Sequence, residues 1–517
     1  MTDKKVILSV ILAATMALTS CGDKNNEPSN PGGNTGTGTE NPGTPGGDDN
    51  GGGSGDANTK TVWVMTTTNT KSFDLTESTI TAQPGQSMAT KTMKLNPGDQ
   101  FQEIDGFGSA ITESAAKNLL KMNQTDRTKF LQQTFSENGG YGYSYIRVPI
   151  GCSDFSETEY TLNDKEGIEN FGLTKIETEY LIPVIKEILA INPNVKVMGS
   201  PWTAPRWMKV DNLDNMAPTS SWRNGHLNPK YYEDYGTYFV KWIQAFEGYG
   251  IPIYAVTPQN EPLNPNNSAG MLMYWDEERD FIKTGLGPKI TEAGLGTKIY
   301  CFDHNYNYDN MGDQYQYPLK IYQDPEAAKY IAGAAYHNYG GNVSELANIH
   351  KANPSKELVF TESTDGTWTP GDVTENVQLH LMNHMENISL GTTNNWSRGV
   401  ILWNLMLDEN HGPFSPADGS CKTGYGTVDL LNNGTIRKNA FYYVLAHMSS
   451  VAKPGAYRIG TTGAQNNVIS SAFVNPDGTY GLVLLNKNAD EVNFTVADGE
   501  YKFAVTLPGN SVTSLRW

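Results

Sequence analysis

The sequence has little of several features that define protein classes. Its 517 residues include only four cysteines, scattered and without a Cys-x-x-Cys pair, which argues against a disulfide scaffold and a cysteine-based zinc or redox site. Charged residues make up only 18% and carry a net charge of −18, so phosphate backbones repel the protein and no nucleic-acid partner is expected. No apolar run is long enough to span a bilayer. Aromatic residues are plentiful at 10%, and they either fill cores or stack on sugars.

The pattern of the first residues predicts an export signal rather than a part of the folded domain. Lys4 and Lys5 precede a mostly apolar stretch, residues 6–18, which is too short for a ~30 Å hydrocarbon core. The stretch ends in Leu-Thr-Ser-Cys, which resembles a bacterial lipobox, where the cysteine is lipidated and becomes the new N-terminus. Residues 1–21 are therefore predicted to be a lipoprotein signal peptide, with lipid on Cys21 as the sole membrane attachment. The predicted location is the bacterial outer membrane, facing the periplasm or the cell surface.

Residues 22–58 separate this signal from the folded body. They are dominated by glycine, asparagine, proline and other small polar residues, and they contain no aromatic side chain. Because such a segment cannot bury a core, it is predicted to be a flexible tether.

From about residue 100 the chain repeats a short apolar run, a loop and a longer segment of helical periodicity. Eight runs are candidate strands: 103–108, 143–149, 195–200, 253–257, 299–302, 332–337, 358–361 and 400–404. Candidate helices between them include 125–135, 178–189, 231–246, 276–286 and 375–390. This alternation predicts an α/β fold, a (β/α)8 TIM barrel over residues 99–440. An open doubly wound sheet is the alternative, but it would not require polar side chains after so many strands.

The C-terminal part has a different pattern. Residues 441–517 consist of short strand-like runs separated by turn signals such as Asn-Pro-Asp-Gly, which predicts a β-sandwich domain. Residues 59–98 contain two further strand candidates, 62–67 and 88–95, that have no partner in the barrel. We therefore expect the sandwich to be a side domain built from both chain ends.

Two carboxyl groups follow predicted barrel strands, where barrel enzymes hold their reactive groups. Glu261 follows the fourth run in Thr-Pro-Gln-Asn-Glu-Pro, and Glu362 follows the seventh in Phe-Thr-Glu-Ser. Glycoside hydrolysis needs such a pair, one carboxyl to protonate the leaving oxygen and one to attack the anomeric carbon or activate water. One glutamate of this kind is more often a solvated loop residue, but two at these positions favour catalysis.

Five longer motifs narrow this prediction. They are Glu-Ile-Asp-Gly-Phe-Gly-Ser-Ala-Ile-Thr from residue 103, Ile-Arg-Val-Pro from 146, Ser-Asp-Phe-Ser from 153, Ser-Pro-Trp-Thr-Ala-Pro-Arg-Trp-Met-Lys from 200 and Val-Thr-Pro-Gln-Asn-Glu-Pro from 256. Together they resemble glycoside hydrolase family 30, which includes glucosylceramidases and β-1,6-glucanases. The resemblance extends from about residue 60 to the C-terminus, and it also implies a barrel with a β-domain made from both chain ends.

The resemblance implies a role for each matching residue. Glu261 would be the general acid/base, Glu362 the nucleophile, and Asn260 the partner of the sugar 2-hydroxyl. Tyr339 would donate a hydrogen bond to the nucleophile. Arg147 would keep Glu362 ionised by its charge, although such an arginine can also be a purely structural ion-pair partner.

The resemblance further implies how a terminal glucose is bound. Asp154 would accept from two hydroxyls, and Trp202 and Trp403 would form aromatic walls. Without the family, core packing explains these tryptophans equally well. His337 and Asn404 would be supporting or hydroxyl-binding residues.

The carboxyl pair carries two further expectations. A retaining mechanism places the groups ~5–5.5 Å apart, where both cannot easily be ionised, so Glu261 should hold its proton while Glu362 is charged. No metal or cofactor is expected. His380 and His384 lie four residues apart in a predicted helix, but the glutamate of a zinc-peptidase motif is missing and no third ligand is evident.

The predicted function is a retaining glycoside hydrolase that cleaves β-glucosidic bonds as a monomer. The acidic body suits a neutral β-glucan, and β-1,6-glucan is favoured because a tethered, exported enzyme suits a polysaccharide better than a ceramide lipid. One alternative is an exo-acting β-glucosidase or glucosylceramidase. Another, of a different class, is a non-catalytic glycan-binding surface lipoprotein, which the presence of both glutamates disfavours. Endo or exo action and the linkage beyond the first sugar stay open.

Overall fold

The computed structural model describes residues 58–85, 91–306, 311–463 and 465–517. The predicted signal peptide, Cys21 and all but the last residue of the predicted tether lie outside the described residues. Within the described ranges, no helix combines the length and apolar character that a membrane crossing requires.

A sheet of eight parallel strands forms the centre of the molecule. In chain order the strands are Gly106–Ser109, Tyr145–Pro149, Lys196–Ser200, Ala255–Val256, Lys298–Asn305, Ile331–His337, Glu357–Glu362 and Ser397–Leu402. From the second strand to the eighth each pairs with the next, and the eighth pairs with the first. Backbone hydrogen bonds from Ser144 to Phe107 and from Ile111 to Arg147 link the first strand to the second. The predicted barrel is confirmed, and every candidate run overlaps an observed strand.

Helices surround this sheet because each presents one apolar face to it. In Tyr232–Gly248, for example, Tyr235, Phe239, Trp242 and Phe246 recur at helical spacing and are fully buried. The α-helices are Glu113–Lys121, Gln124–Phe135, Ile182–Ile191, Tyr232–Gly248, Trp275–Phe281, Gly287–Glu292, Tyr317–Tyr322, Pro325–Ala328, Ser344–Ala352, Asn376–His384, Gly391–Asn394 and Ala440–Ser449. Three π-helical segments, Glu177–Leu181, Ile282–Leu286 and Met385–Leu390, adjoin them.

The side domain is a sheet of nine strands that closes on itself around its own apolar core. Its strands are Lys60–Thr68, Thr76–Pro84, Thr92–Glu103, Tyr457–Thr462, Val468–Val474, Tyr480–Asn486, Val492–Ala497, Tyr501–Leu507 and Ser511–Arg516. The last strand pairs antiparallel with the first on one side and with Tyr480–Asn486 on the other. Both chain ends therefore build this domain, as predicted.

Two elements cross the predicted domain boundaries. Strand Thr92–Glu103 continues past residue 98, and helix Ala440–Ser449 begins the predicted C-terminal domain yet contacts the barrel through Phe441, whose ring lies 4.4 Å from that of His384. The same helix carries His447, whose two ring nitrogens lie 2.8 and 2.9 Å from hydroxyls of the side domain. This helix therefore connects the barrel to the side domain.

Candidate active site

A cleft opens where the barrel strands end. It has a volume of about 260 Å³ and is lined by Asp154, Trp202, Glu261, Asn264, Asn267, Asn305, Tyr339, Glu362, Thr364, Trp368, Trp403 and Cys421. Six of the predicted site residues are in this set. The barrel brings them together because the carboxyl ends of all its parallel strands meet at one rim.

Glu261 and Glu362 face each other in this cleft. Glu362 is the last residue of the seventh strand, whereas Glu261 follows the fourth strand with a φ of +44°, a left-handed conformation that costs energy for a non-glycine residue. One carboxylate oxygen of each glutamate and a ring nitrogen of His337 all lie within 4.8 Å of one another. This spacing suits a retaining pair and is shorter than the ~6.5–9.5 Å of an inverting pair.

Both oxygens of Glu362 are held by hydrogen bonds. Arg147 Nη1 donates to Oε2 at 2.6 Å, and the Tyr339 hydroxyl donates to Oε1 at 3.0 Å. The residue Tyr339 is 44% exposed, although its hydroxyl points into the cleft toward the carboxylate. Two donors on separate oxygens fix the plane of the carboxylate, so its orientation toward a bound sugar is set before binding.

Arg147 ties this carboxylate to the barrel interior. Its guanidinium is fully buried, and Nη2 donates to Asn260 Oδ1 at 2.7 Å and to Asp303 Oδ2 at 2.8 Å. The arginine thus holds the nucleophile candidate, the predicted 2-hydroxyl ligand and a second buried carboxylate with one charge. Its structural and its electrostatic interpretation therefore apply together.

Trp202 and Trp403 form one wall of the cleft. Their rings stack with centroids 5.0 Å apart at an angle of 23°, and the Arg147 guanidinium lies 5.0 Å from the Trp202 ring. The two tryptophans are almost fully buried in the free protein, yet both line the cavity. Core packing is therefore observed, and the sugar-binding role of the two rings stays a prediction.

Asp154 lies beside this wall, and its environment is unfavourable. Its Oδ1 is buried without a hydrogen-bond partner among the described residues. Burial and the charges of Glu362 and Glu261 raise the pKa of Asp154 well above its ordinary value. A buried acceptor without a donor, at the wall of a cavity, is suited to receive hydroxyl groups of a ligand.

Asp303, the central acid of this network, was not predicted from the sequence. It lies near the end of the fifth strand with a φ of +57° and is fully buried. Its two oxygens accept from five side chains, Arg147, Ser200, Thr257, His337 and Thr361. Burial opposes ionisation, but the Arg147 charge and the His337 hydrogen bond hold the pKa of Asp303 well below its usual range. The strand-end rule that found Glu362 would have found Asp303 had the fifth run been extended by one residue.

Asn264 and Asn267 were also overlooked, because they lie in the loop beyond the Asn-Glu-Pro motif. Their side-chain amides donate to Glu261 Oε2 at 2.7 and 3.0 Å. Both residues line the cleft, so the surroundings of Glu261 there are polar.

His337 does not line the cleft but lies fully buried beneath it. Its Nδ1 is 3.2 Å from Glu261 Oε1, and its Nε2 is 3.1 Å from Asp303 Oδ1. Since Asp303 is ionised, Nε2 carries a hydrogen, and Nδ1 is the atom whose protonation can change. Burial opposes the charged ring, but the charge of Glu362 and hydrogen bonds to Asp303 and Glu261 raise the pKa of His337 to about 9. Of the two expected roles, supporting or hydroxyl-binding, these contacts with two acids fit the supporting one.

The expected protonation of the glutamate pair is wrong for the free protein. Burial would raise the pKa of Glu261, but the hydrogen bond to His337 and the charges of His304 and His337 lower it to about 2. Burial raises the pKa of Glu362, against the opposing charges of His337 and Arg147. Two carboxyls alone would share one proton, but the buried His337 beside Glu261 takes that proton in the free protein.

Asn260 and Asn404 are both buried and lie outside the residues that line the cavity. The Asn260 oxygen accepts from Arg147, so its amide NH2 group is the part that can donate to a sugar. Asn404 Oδ1 accepts from the Thr112 hydroxyl at 2.6 Å, which is a supporting contact.

In the part of the chain that the structure describes, two groups of side chains have the composition of metal sites. Glu261, His337 and Glu362 form one, but the Arg147 guanidinium 2.6 Å from Glu362 already neutralises it and would repel a cation. The other consists of His380, His384 and Asp365. The expectation that no third ligand accompanies the two histidines is therefore wrong.

Comparisons with known proteins agree with this geometry. Residues 104–452 match the model of the glycosyl hydrolase family 30 TIM-barrel domain, and residues 455–515 match the model of the family 30 beta sandwich domain. An endo-1,6-beta-D-glucanase of Trichoderma harzianum is 30% identical over 83% of this chain and 87% of its own length. The lysosomal acid glucosylceramidase of Mus musculus is 28% identical over 82% of this chain and 83% of its own length.

A solved structure of an endo-beta1,6-glucanase is 56% identical in sequence. It superposes with a TM-score of 0.84, and the match covers 88% of this chain and 99% of that one. Two catalytic-type carboxyls at the rim of the barrel, and family models that together span barrel and side domain, lead to one conclusion: the chain belongs to glycoside hydrolase family 30 and is a glycosidase.

Proposed function

We propose that the protein hydrolyses β-1,6-linked glucan with retention of the anomeric configuration. The observation that carries the mechanism is the approach of the Glu261 and Glu362 oxygens to within 4.8 Å across the cleft. Support for the linkage comes from the 56% identity to an endo-β-1,6-glucanase over nearly its whole chain.

In the first step Glu362 attacks the anomeric carbon and forms a glycosyl ester while the glycosidic C–O bond breaks. Arg147 and Tyr339 hold the two oxygens of Glu362 in the plane required for attack. The leaving oxygen takes a proton from Glu261, which receives it from His337 Nδ1 across their hydrogen bond. In the second step Glu261 accepts a proton from water, the resulting hydroxide equivalent attacks the same carbon, and Glu362 is released.

The proton for the first step comes from the hydrogen bond between His337 and Glu261. In the free protein this proton lies on His337. Burial opposes the charged ring, but the charge of Glu362 is the largest of the effects that raise the pKa of His337 to about 9. When Glu362 becomes an ester that charge is lost, and the imidazolium is less favoured. His337 and Glu261 therefore act as one proton-holding unit rather than as two independent groups.

The lining of the cleft favours a polysaccharide over a ceramide lipid. Asn264, Asn267 and Asn305 line the cleft and supply amide hydrogen bonds rather than aliphatic surface for an acyl chain. The cavity of about 260 Å³ is small, so a polymer has to extend beyond it, and Trp368, which also lines the cavity, is 53% exposed. The glucosylceramidase alternative is the weaker candidate on this ground.

Hydrolysis of a panel of substrates tests this function. The protein should release reducing sugar from pustulan, a β-1,6-glucan, at least ~100-fold faster than from β-1,3- or β-1,4-glucan or from glucosylceramide. Glu362→Gln, which keeps the shape of the side chain, should lose this activity. Preference for glucosylceramide, or binding of pustulan without cleavage, would contradict the proposal. Product lengths over time distinguish endo from exo cleavage.

We also infer that the enzyme is attached to the outer membrane by lipid on Cys21. The lipobox-like sequence and the following polar segment support this inference. Cys21→Ala should move the protein from the membrane fraction to the soluble fraction of expressing bacteria, without changing its activity on pustulan. Equal membrane association of both forms would contradict the lipid anchor.

A further inference from the structure

A second cluster of reactive side chains lies outside the cleft. Asp365 is on the loop that follows the seventh barrel strand, three residues beyond Glu362. His380 and His384 are one turn apart on helix Asn376–His384. None of the three takes part in the proposed hydrolysis. The barrel brings them together because this loop folds back against the helix that follows it.

The three side chains of the cluster place potential metal-binding atoms close together. His384 Nε2 lies 2.7 Å from Asp365 Oδ2, and the His380 and His384 rings are nearly parallel, with centroids 5.4 Å apart. One donor atom from each of the three side chains lies within 4.8 Å of the other two. Metal–ligand distances of ~2.0–2.2 Å place two ligand atoms of one ion at most ~4.4 Å apart, so a small movement of the side chains is enough for all three to bind the same ion.

The surroundings supply support for such a site. The Asn376 amide lies 3.3 Å from Asp365 Oδ2, and the backbone of Pro370 accepts a hydrogen bond from His380. Because imidazole has two nitrogens, one can keep this backbone contact while the other binds an ion, a pattern common to metal-binding histidines. The Asp365 and His384 side chains are only 7% and 9% exposed, whereas His380 is half-buried, so His380 is the member of the cluster that solvent reaches most easily.

We propose that Asp365, His380 and His384 form a binding site for a divalent transition-metal ion, with Zn²⁺ as the preferred occupant. Two imidazoles and one carboxylate suit Zn²⁺, while Mg²⁺ and Ca²⁺ prefer all-oxygen ligand sets. A bound ion would fasten the loop after the nucleophile strand to the neighbouring helix. The same loop carries Thr364 and Trp368 to the cleft wall, so the ion would stabilise that wall without joining the reaction.

Calorimetric titration with Zn²⁺ and thermal unfolding test this proposal. The protein, freed of any polyhistidine tag and treated with EDTA, should bind about one equivalent of Zn²⁺. Its Tm should rise by about 2–5 °C at a hundredfold excess over Kd, because the ion binds only the folded state. Mg²⁺ at the same concentration should have no effect.

A pair of matched variants locates the ion. His380→Gln should lose the Tm rise and bind Zn²⁺ at least ~30-fold more weakly, with an unchanged Tm in EDTA that shows it is folded. His350→Gln is the control, because His350 is also a half-buried histidine, on helix Ser344–Ala352, outside the cluster. It should bind like the wild type.

Absence of Zn²⁺ binding by the wild type, or equal binding by wild type and His380→Gln, would overturn the proposal and leave a plain Asp365–His384 hydrogen bond. The titration contains no substrate, so its outcome is independent of the proposed hydrolysis.

Discussion

Removal of the Asp154 side chain should make the protein more stable and far less active. Asp154 Oδ1 is buried without a partner, and burial with the charges of Glu362 and Glu261 raises the pKa of this carboxyl. A carboxyl whose folded pKa lies above its unfolded value lowers the free energy of unfolding once the pH exceeds the unfolded value. At neutral pH, Asp154→Ala removes this cost.

The structure sets the size of both effects. A buried polar atom without a partner costs about 1–3 kcal/mol, which corresponds to a Tm rise of about 1–5 °C in the variant. If Asp154 accepts from two sugar hydroxyls, each hydrogen bond contributes about 0.5–3 kcal/mol to transition-state binding, with the upper end for an ionised carboxylate. Because a tenfold rate change equals 1.36 kcal/mol, kcat/KM should fall by a factor of about 10–10⁴.

Differential scanning calorimetry at pH 7 and initial rates on pustulan measure the two quantities on the same samples. Asp154→Asn is the matched control, since it removes the charge but keeps one acceptor, so its Tm should also rise while its kcat/KM falls less. A variant Asp154→Ala with a Tm below that of the wild type, or with kcat/KM within threefold of it, would refute this reasoning.

Three further predictions follow from the described contacts. Glu261→Gln should slow glucan hydrolysis by about 10²–10⁴-fold. An aryl glucoside with a good leaving group should still form the glycosyl ester with this variant, and azide should restore turnover of that substrate. Equal loss of activity on both substrates would contradict the acid/base role. Burial lowers the pKa of His447 from 6.5 to about 3, so its contribution to stability is complete above pH 6.5 and is lost as the pH falls toward 3. By circular dichroism His447→Asn should therefore lose less Tm than the wild type between pH 7 and pH 4, and parallel curves would exclude this cause. Arg147→Lys keeps the charge, but a lysine cannot reach Glu362, Asn260 and Asp303 together. The kcat should therefore fall at least tenfold with little change in KM. A change in KM alone would contradict the positioning role of Arg147.

The barrel was predictable because its strands are buried on both faces and appear as short apolar runs between amphipathic helices. The fourth run shows the limit of this signal, since only Ala255–Val256 forms ladder hydrogen bonds although the apolar run is longer. Strand Thr76–Pro84 was missed because most of its side chains are exposed, which leaves no alternation of apolar and polar residues. Strand Tyr457–Thr462 was missed for the same reason, since Ile459 is its one buried side chain.

The active-site features also divide into those that were predicted from the sequence and those that were not. Glu261 and Glu362 were found from their places after strands, a purely local signal. The location of the proton shared by Glu261 and His337 was not predicted from the sequence. It depends on contacts of His337, at the end of the sixth strand, with Glu261 after the fourth strand and with Asp303 on the fifth. Asp365, the carboxylate beside His380 and His384, was missed for a related reason. It belongs to a loop and contacts the helix that carries the two histidines only in the folded barrel.

The stereochemistry of the first product formed is the most direct test of the paired-carboxylate account. Proton NMR can follow the anomeric signal of the new reducing end during the first minutes of pustulan cleavage, before mutarotation mixes the anomers. One oxygen of Glu261 and one of Glu362 lie within 4.8 Å of each other, closer than the ~6.5–9.5 Å that an inverting pair needs to hold a water opposite the leaving group, so the β-anomer should accumulate first. Initial accumulation of the α-anomer would contradict double displacement through Glu362.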